Sequence, residues 1–267
     1  MPPPRARLGI LDWGIGGLGF WQLLRAQLPG SACVYLSDSG APPYGTLSPR
    51  VLGQRVARAA AWFSEQGVSE LVVACNAAST VLGRVASPEA AGGAPALALF
   101  GVIAPTLRAL LREPRCSVGV FGGRRTIRSR VYRRPLVAAG FAVQQRIAQP
   151  LSALVEAGRI SGPAVERQVT RILQPICRST LLVPACTHYA ALLPLFQRVA
   201  PEARFLDPAQ LLLSELLERW PPQRRRTSDA EFWTTGSPAA FERGAELAFG
   251  LALSGARKLK DLPAARR

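Results

Sequence analysis

An internal echo constrains this chain more than any other feature. Residues 71–76 (LVVACN) and 182–187 (LVPACT) each read as a short apolar strand running into Ala-Cys and a small polar residue. Their cysteines, Cys75 and Cys186, lie 111 residues apart. A second pair stands at nearly the same spacing: GILDWGIGG from Gly9 and GVFGGRR from Gly119, offset by 110. Asp12 precedes Cys75 by 63 residues, and Gly122 precedes Cys186 by 64. Two matches at one offset point to two related halves.

The pattern around the echo is that of an α/β protein. Short apolar runs at 8–12, 33–36, 71–74, 96–102, 118–121, 181–184 and 232–234 read as buried strands. Stretches of helical period lie between them. One covers 54–65 (QRVARAAAWFSE) and another 164–173, opened by SGPAVE, where Ser161 or Gly162 can cap and Pro163 suits the first turn. Strands alternating with helices predict mainly parallel sheets flanked by helices. The Gly- and Pro-rich tract 87–96 marks a boundary. The expected layout is one α/β domain from 1–96 plus 211–267 and a second, pseudo-symmetric one from 97–210. Ligands of open α/β sheets sit beyond the carboxyl ends of the strands, so the active site is expected between the two.

Composition narrows the class. With 267 residues, 48% of them hydrophobic, the chain can bury a real core. No apolar run is long enough to span a bilayer, and no signal-type apolar segment follows MPPPRAR, so a soluble cytoplasmic protein without membrane contact is expected. The net charge is +16, yet the only lysines are Lys258 and Lys260 and the arginines are spread along the chain. Nucleic acid is therefore an unfavoured partner, although such a field attracts anionic substrates. Five cysteines with no C-x-x-C pair, and a single histidine, give poor support for zinc. An odd cysteine count argues against a disulfide frame.

Two chemistries compete for the strand ends. Gly14, Gly16 and Gly19 spell G-x-G-x-x-G after a strand, and Asp38 ends the next one, as a dinucleotide site requires. Asp12, however, sets a carboxylate in that same turn, where a pyrophosphate is unwelcome. The alternative lies in the thiols. Cys33, Cys116 and Cys177 read as packing. Cys75 and Cys186 both end strands in the echo, and His188 stands two residues from Cys186. Two thiols facing across a cleft can remove a proton from one face of a carbon and return one on the other. That inverts a stereocentre.

At this point the motifs resemble a known family. GILDWGIGGLGFWQLLRAQLP, YLSDSGAPPYGTLS, VVACNAAS, FGVIAP, GGRRTIRSRVY, PLSALVEAG, VPACTHYAALLP and FWTTGSPAAFERGAELAFG together resemble the bacterial glutamate racemases of the aspartate/glutamate racemase superfamily, nearly end to end. The resemblance implies that Cys75 exchanges a proton with the D-enantiomer and Cys186 with the L-enantiomer. Asp12 would assist Cys75; His188 with Glu156 would assist Cys186. Pro43, Tyr44 and Gly45 would hold the substrate side-chain carboxylate, and Asn76 and Thr187 the amino-acid end. Trp13, Asp38, Ser39, Ala77 and His188 fall at further substrate-shell positions. No pyridoxal phosphate, other cofactor or metal is implied. A homodimer supplying D-glutamate for peptidoglycan is.

The sequence also departs from the family pattern. Trp13 stands for a small serine, Ala77 and Gly123 for threonines, Ser39 for a threonine and Ala104 for a glutamate. The acid/base set is intact while the substrate shell is altered. Three other readings therefore stay open: a racemase for another amino acid, a weakly active paralogue with a binding or regulatory role, and a nucleotide-dependent oxidoreductase.

Overall fold

The computed structural model describes residues 7–85, 97–219 and 230–263. In chain order the strands are β1 (Arg7–Asp12), β2 (Cys33–Ser37), β3 (Val68–Val73), β4 (Ala98–Gly101), β5 (Ser117–Gly122), β6 (Ala142–Ile147), β7 (Leu181–Ala185), β8 (Arg204–Phe205), β9 (Glu231–Thr234) and β10 (Arg257–Lys258). They form two parallel sheets. The first runs β10-β9-β2-β1-β3-β4 and the second β6-β5-β7-β8.

The second sheet repeats the order of the first: β2-β1-β3-β4 against β6-β5-β7-β8. β5 begins 110 residues after β1, and β6 begins 109 after β2. The echo in the sequence is thus an echo in topology. β9 and β10 extend only the first sheet, at its β2 edge.

Burial explains which strands the sequence announces. β1 (RLGILD) sits between β2 and β3 and is buried from Leu8 onward. A strand covered on both faces reads as a continuous apolar run. All seven runs expected as strands form strands. β6 (AVQQRI) gave no such signal. It is an edge strand with every residue exposed or half-buried, so polar side chains suit it. β8 and β10 are only two residues long.

One boundary differs from the expectation. β4 pairs with β3 and so belongs to the first sheet, although it lies beyond residue 96. A short strand that completes a sheet edge cannot be assigned to either sheet from its own four residues. The tract 87–96 lies outside the described residues.

Helices cover the sheets. Helix Pro49–Glu65 is capped by Ser48, whose side chain accepts from the Val51 N–H, and buries Leu52, Val56, Ala59, Ala60 and Phe63 on one face of the first sheet. Helix Pro163–Leu173 starts after Gly162, at φ +92°, with proline in its first turn. Leu8 and Ile10 pack on the opposite face, in a core that continues into the second sheet through Val118, Val120, Val183 and Ala185. Each fully buried Val, Leu or Ile contributes about 1.5–3 kcal/mol. The shared core holds the two carboxyl edges against each other. No described helix is long and apolar enough to cross a membrane.

Candidate active site

Four segments meet at this edge. Asp12 ends β1, Cys75 follows β3 by two residues, Cys186 follows β7 directly, and Glu156 ends helix Gln149–Glu156. Cys75 precedes the short helix Asn76–Ser79, and Thr187–Leu192 forms a 3-10 helix after Cys186.

The turn that spells a nucleotide motif is filled by protein. A Cβ on Gly14 would lie 1.8 Å from Glu156 Oε1. One on Gly16 would lie 2.4 Å from Thr187 Oγ1 and 2.6 Å from His188 Nδ1. These glycines therefore let the backbone of the first domain close on the second. Ile15 N–H donates to Glu156 Oε1 at 2.8 Å across that contact.

The Cys75 side is a buried acid pair. Asp12 is fully buried. Its Oδ2 accepts from the Gly17 N–H at 2.6 Å, beside the start of helix Leu18–Gln27, and from the Thr187 hydroxyl at 3.1 Å. Its other oxygen has no conventional hydrogen-bond partner among the described residues. Burial raises the Asp12 pKa, against the opposing pull of His188 and of the backbone N–H groups. Burial, then the charge of Asp12, also pushes the Cys75 thiol well above its ordinary value. Both effects favour the protonated form of Cys75.

The Cys186 side is a relay. Cys186 Sγ lies 3.6 Å from His188 Nδ1, and His188 Nε2 lies 2.5 Å from Glu156 Oε1. Burial pulls the imidazole pKa down, but the hydrogen bonds and charges of Cys186 and Glu156 outweigh it and set it well above its usual value. Burial works against ionised Glu156, yet His188 and the Ile15 N–H hold its carboxyl below its usual value. A charged imidazolium is the natural counter-charge for a thiolate formed beside it.

Both thiols line one narrow cavity of 40 Å³, together with Trp13, Pro43, Tyr44, Gly45, Asn76, Ala77, Thr187 and His188. Asp12 and Glu156 stand behind it. Asp38 and Ser39, expected in the substrate shell, do not line it. The Asp38 carboxylate is spent on structure: it accepts from Tyr44 Oη at 2.6 Å, Thr235 Oγ1 at 2.8 Å, and both Nε and Nη2 of Arg55. Ser39 pairs its hydroxyl with Thr234. Trp13 donates its indole N–H to the Ala41 carbonyl at 2.9 Å, and its ring lies 6.3 Å from that of His188. The indole therefore walls the cavity. A larger cavity of 730 Å³ touches Cys186 and Thr187 from the far side but reaches neither Cys75 nor His188.

Sequence reasoning missed part of the wall. Thr126, Gln149 and Ser152 line it from the second domain. Tyr132, fully buried, donates to Asn76 Oδ1 at 2.7 Å and fixes that amide. Polar residues in the first turn of a helix are ordinary, so Gln149 and Ser152 carried no signal of their own.

Comparison with known proteins gives the family and the fold. No family model matches the chain. It is 34% identical over 245 residues to the glutamate racemase of Gloeobacter violaceus, covering 89% of this chain and 90% of that protein. The chain belongs to the glutamate racemase family. Solved glutamate racemases share its fold. The structure of an isoform from Bacillus anthracis matches with a TM-score of 0.84 at 27% identity, over 97% of this chain and 99% of that one. The glutamate racemase of Thermus thermophilus, solved with β-chloro-D-alanine, matches with a TM-score of 0.81 at 28% identity, over 96% and 97%.

Proposed function

We propose that this chain interconverts L- and D-glutamate by a two-base mechanism, with Cys75 and Cys186 as the catalytic thiols. One observation carries the reading: two thiols from equivalent strand ends of two like sheets line a single narrow cavity, each backed by its own carboxylate. A one-base reaction has no use for the second.

With L-glutamate bound, Cys186 acts as the thiolate, its charge balanced by the imidazolium of His188 that Glu156 holds, and becomes a thiol as it takes the Cα proton. The carbanion is short-lived. It is stabilised by fixed polar groups in a site from which water is excluded. Cys75, already protonated, delivers its proton to the opposite face. The reverse reaction uses Cys75 as base and Asp12 as its partner. Asn76 and Thr187 hold the amino-acid end, and the backbone at Pro43, Tyr44 and Gly45 the side-chain carboxylate. Supply of D-glutamate for peptidoglycan, a cytoplasmic location and a homodimer complete the reading.

Trp13 favours a second substrate. Its indole shortens the cavity, which fits an amino acid smaller than glutamate. A scan of amino acids in heavy water, following loss of the Cα proton by NMR, separates the two. Exchange with both glutamate enantiomers supports the first reading. Exchange with another amino acid alone transfers the same chemistry to it, and no exchange with any amino acid overturns both.

A further inference from the structure

Gln149 stands where the thiol cavity meets a second hollow. It lines both the 40 Å³ cavity and a 570 Å³ groove walled by Arg124, Arg146 and Arg171. Pro43 is the other residue common to the two. No acidic side chain among the described residues lines the groove, and none of its three arginines forms an ion pair with a described residue. An anion approaching the thiols from this side passes the Gln149 amide.

The orientation of that amide is fixed by its neighbours. The Arg124 backbone N–H can only donate, so the atom it meets at 3.0 Å is Oε1. The Ser152 hydroxyl donates to the Gln149 carbonyl at 2.8 Å, so its oxygen accepts from Nε2 at 3.2 Å. Turning the amide over would set Nε2 against the Arg124 N–H, donor against donor. One Nε2 proton is thus used, and the other meets no acceptor among the described residues. Two glycines make room for the group. A Cβ at Gly45 would lie 2.5 Å from Oε1, and one at Gly123 would lie 3.2 Å from it. The amide therefore fills the space that a side chain at Gly123 would occupy.

We propose that Gln149 is a specificity-determining residue, whose free Nε2 proton is donated to the side-chain carboxylate of the substrate at the basic mouth of the cavity. The assignment rests on the glutamate reading above. A locked donor flanked by arginines that form no ion pair with a described residue selects an anionic acceptor, and a neutral carboxamide in the same place gains less from it.

The test is calorimetric titration of the intact protein with D-glutamate, L-glutamate and glutamine, on wild type, Gln149→Glu and Gln149→Ala. Gln149→Glu keeps the shape and replaces the donor with a carboxylate. It is expected to weaken glutamate binding 10- to 100-fold while glutamine changes less than threefold. Gln149→Ala removes the donor without adding charge, and a three- to tenfold loss confined to glutamate is expected. Equal losses for glutamate and glutamine would mark a merely structural role and overturn the proposal. So would unchanged glutamate binding in both variants, or no glutamate binding by wild type. Heavy-water exchange on the same samples separates the two readings. Binding without exchange overturns racemisation and leaves Gln149 to the titration. Exchange with an unaltered glutamate-to-glutamine ratio overturns Gln149 alone.

Discussion

Thr187 donates its hydroxyl proton to the Asp12 carboxylate at 3.1 Å, across 175 residues of sequence and between the two sheets. The residue after one thiol thereby holds the carboxylate that lies beside the other. Ile15 and Glu156 make the converse link, from the first domain to the relay behind Cys186. Neither half of the site is complete within its own domain.

Removing either thiol separates the two faces. Cys75→Ala and Cys186→Ala should each lower racemisation by at least about 10²–10⁴-fold, the range for loss of a positioned acid or base. Exchange of the Cα proton should persist only with the enantiomer facing the remaining thiol. Polarimetry of the product and NMR in heavy water check the two statements. Exchange of both enantiomers by both variants would remove the two-thiol assignment.

Glu156→Gln should alter the pH dependence of stability in a defined window. The raised His188 pKa contributes stability that is full below the ordinary histidine value of 6.5 and is lost as pH rises through the folded-state value. The lowered Glu156 pKa contributes stability that is full above the ordinary 4.5 and is lost as pH falls through its folded-state value. The difference in Tm between wild type and Glu156→Gln should therefore be largest between about pH 4.5 and 6.5 and decline on both sides. About 1.5–3 kcal/mol is expected within the window, the range for a hydrogen bond to a charged group. A pH-independent difference would contradict the pairing.

Trp13→Ser should trade stability for room. The half-buried indole and its bond to the Ala41 carbonyl are lost, at about 1–3 kcal/mol by denaturant midpoint. The KM for glutamate should fall severalfold as the wall recedes. An unchanged KM would show that the ring does not limit glutamate.

Asp38→Asn tests a residue outside the cavity. It weakens the pair with Arg55 and leaves a partly buried guanidinium without its counter-charge. About 3–5 kcal/mol of stability should be lost, as for breaking other buried pairs. Urea denaturation measures it, and a loss below 1 kcal/mol would return Asp38 to the substrate shell.

The fold was legible because parallel strands buried on both faces spell themselves as apolar runs, and because the Ala-Cys echo repeats at the offset of the sheets themselves. β6 was not, since an exposed edge strand has no apolar signature. At the site, residues tied to strand ends could be read: Asp12, Cys75 and Cys186. The partnership of Glu156 with His188 came from family resemblance, and 32 residues of intervening chain gave no local sign of it. The glycines of the opening turn were legible in spelling only. Their partners, Glu156, Thr187 and His188, are distant in sequence, so the spelling of a phosphate cradle could be disfavoured on Asp12 but the close approach between domains could not be read. Gln149 was silent because an amide in a first helical turn says nothing until Gly45 and Gly123 are seen on either side of it.

The repeated strand order carries a kinetic consequence. Enantiomers are equal in free energy in water, so an enzyme that interconverts them must show the same kcat/KM in both directions. The two halves here share a topology but not a chemistry: one thiol answers to a buried carboxylate, the other to an imidazolium. Their inequality therefore cannot appear in that ratio. It can emerge only as kcat and KM values that differ between L- and D-substrate by one common factor.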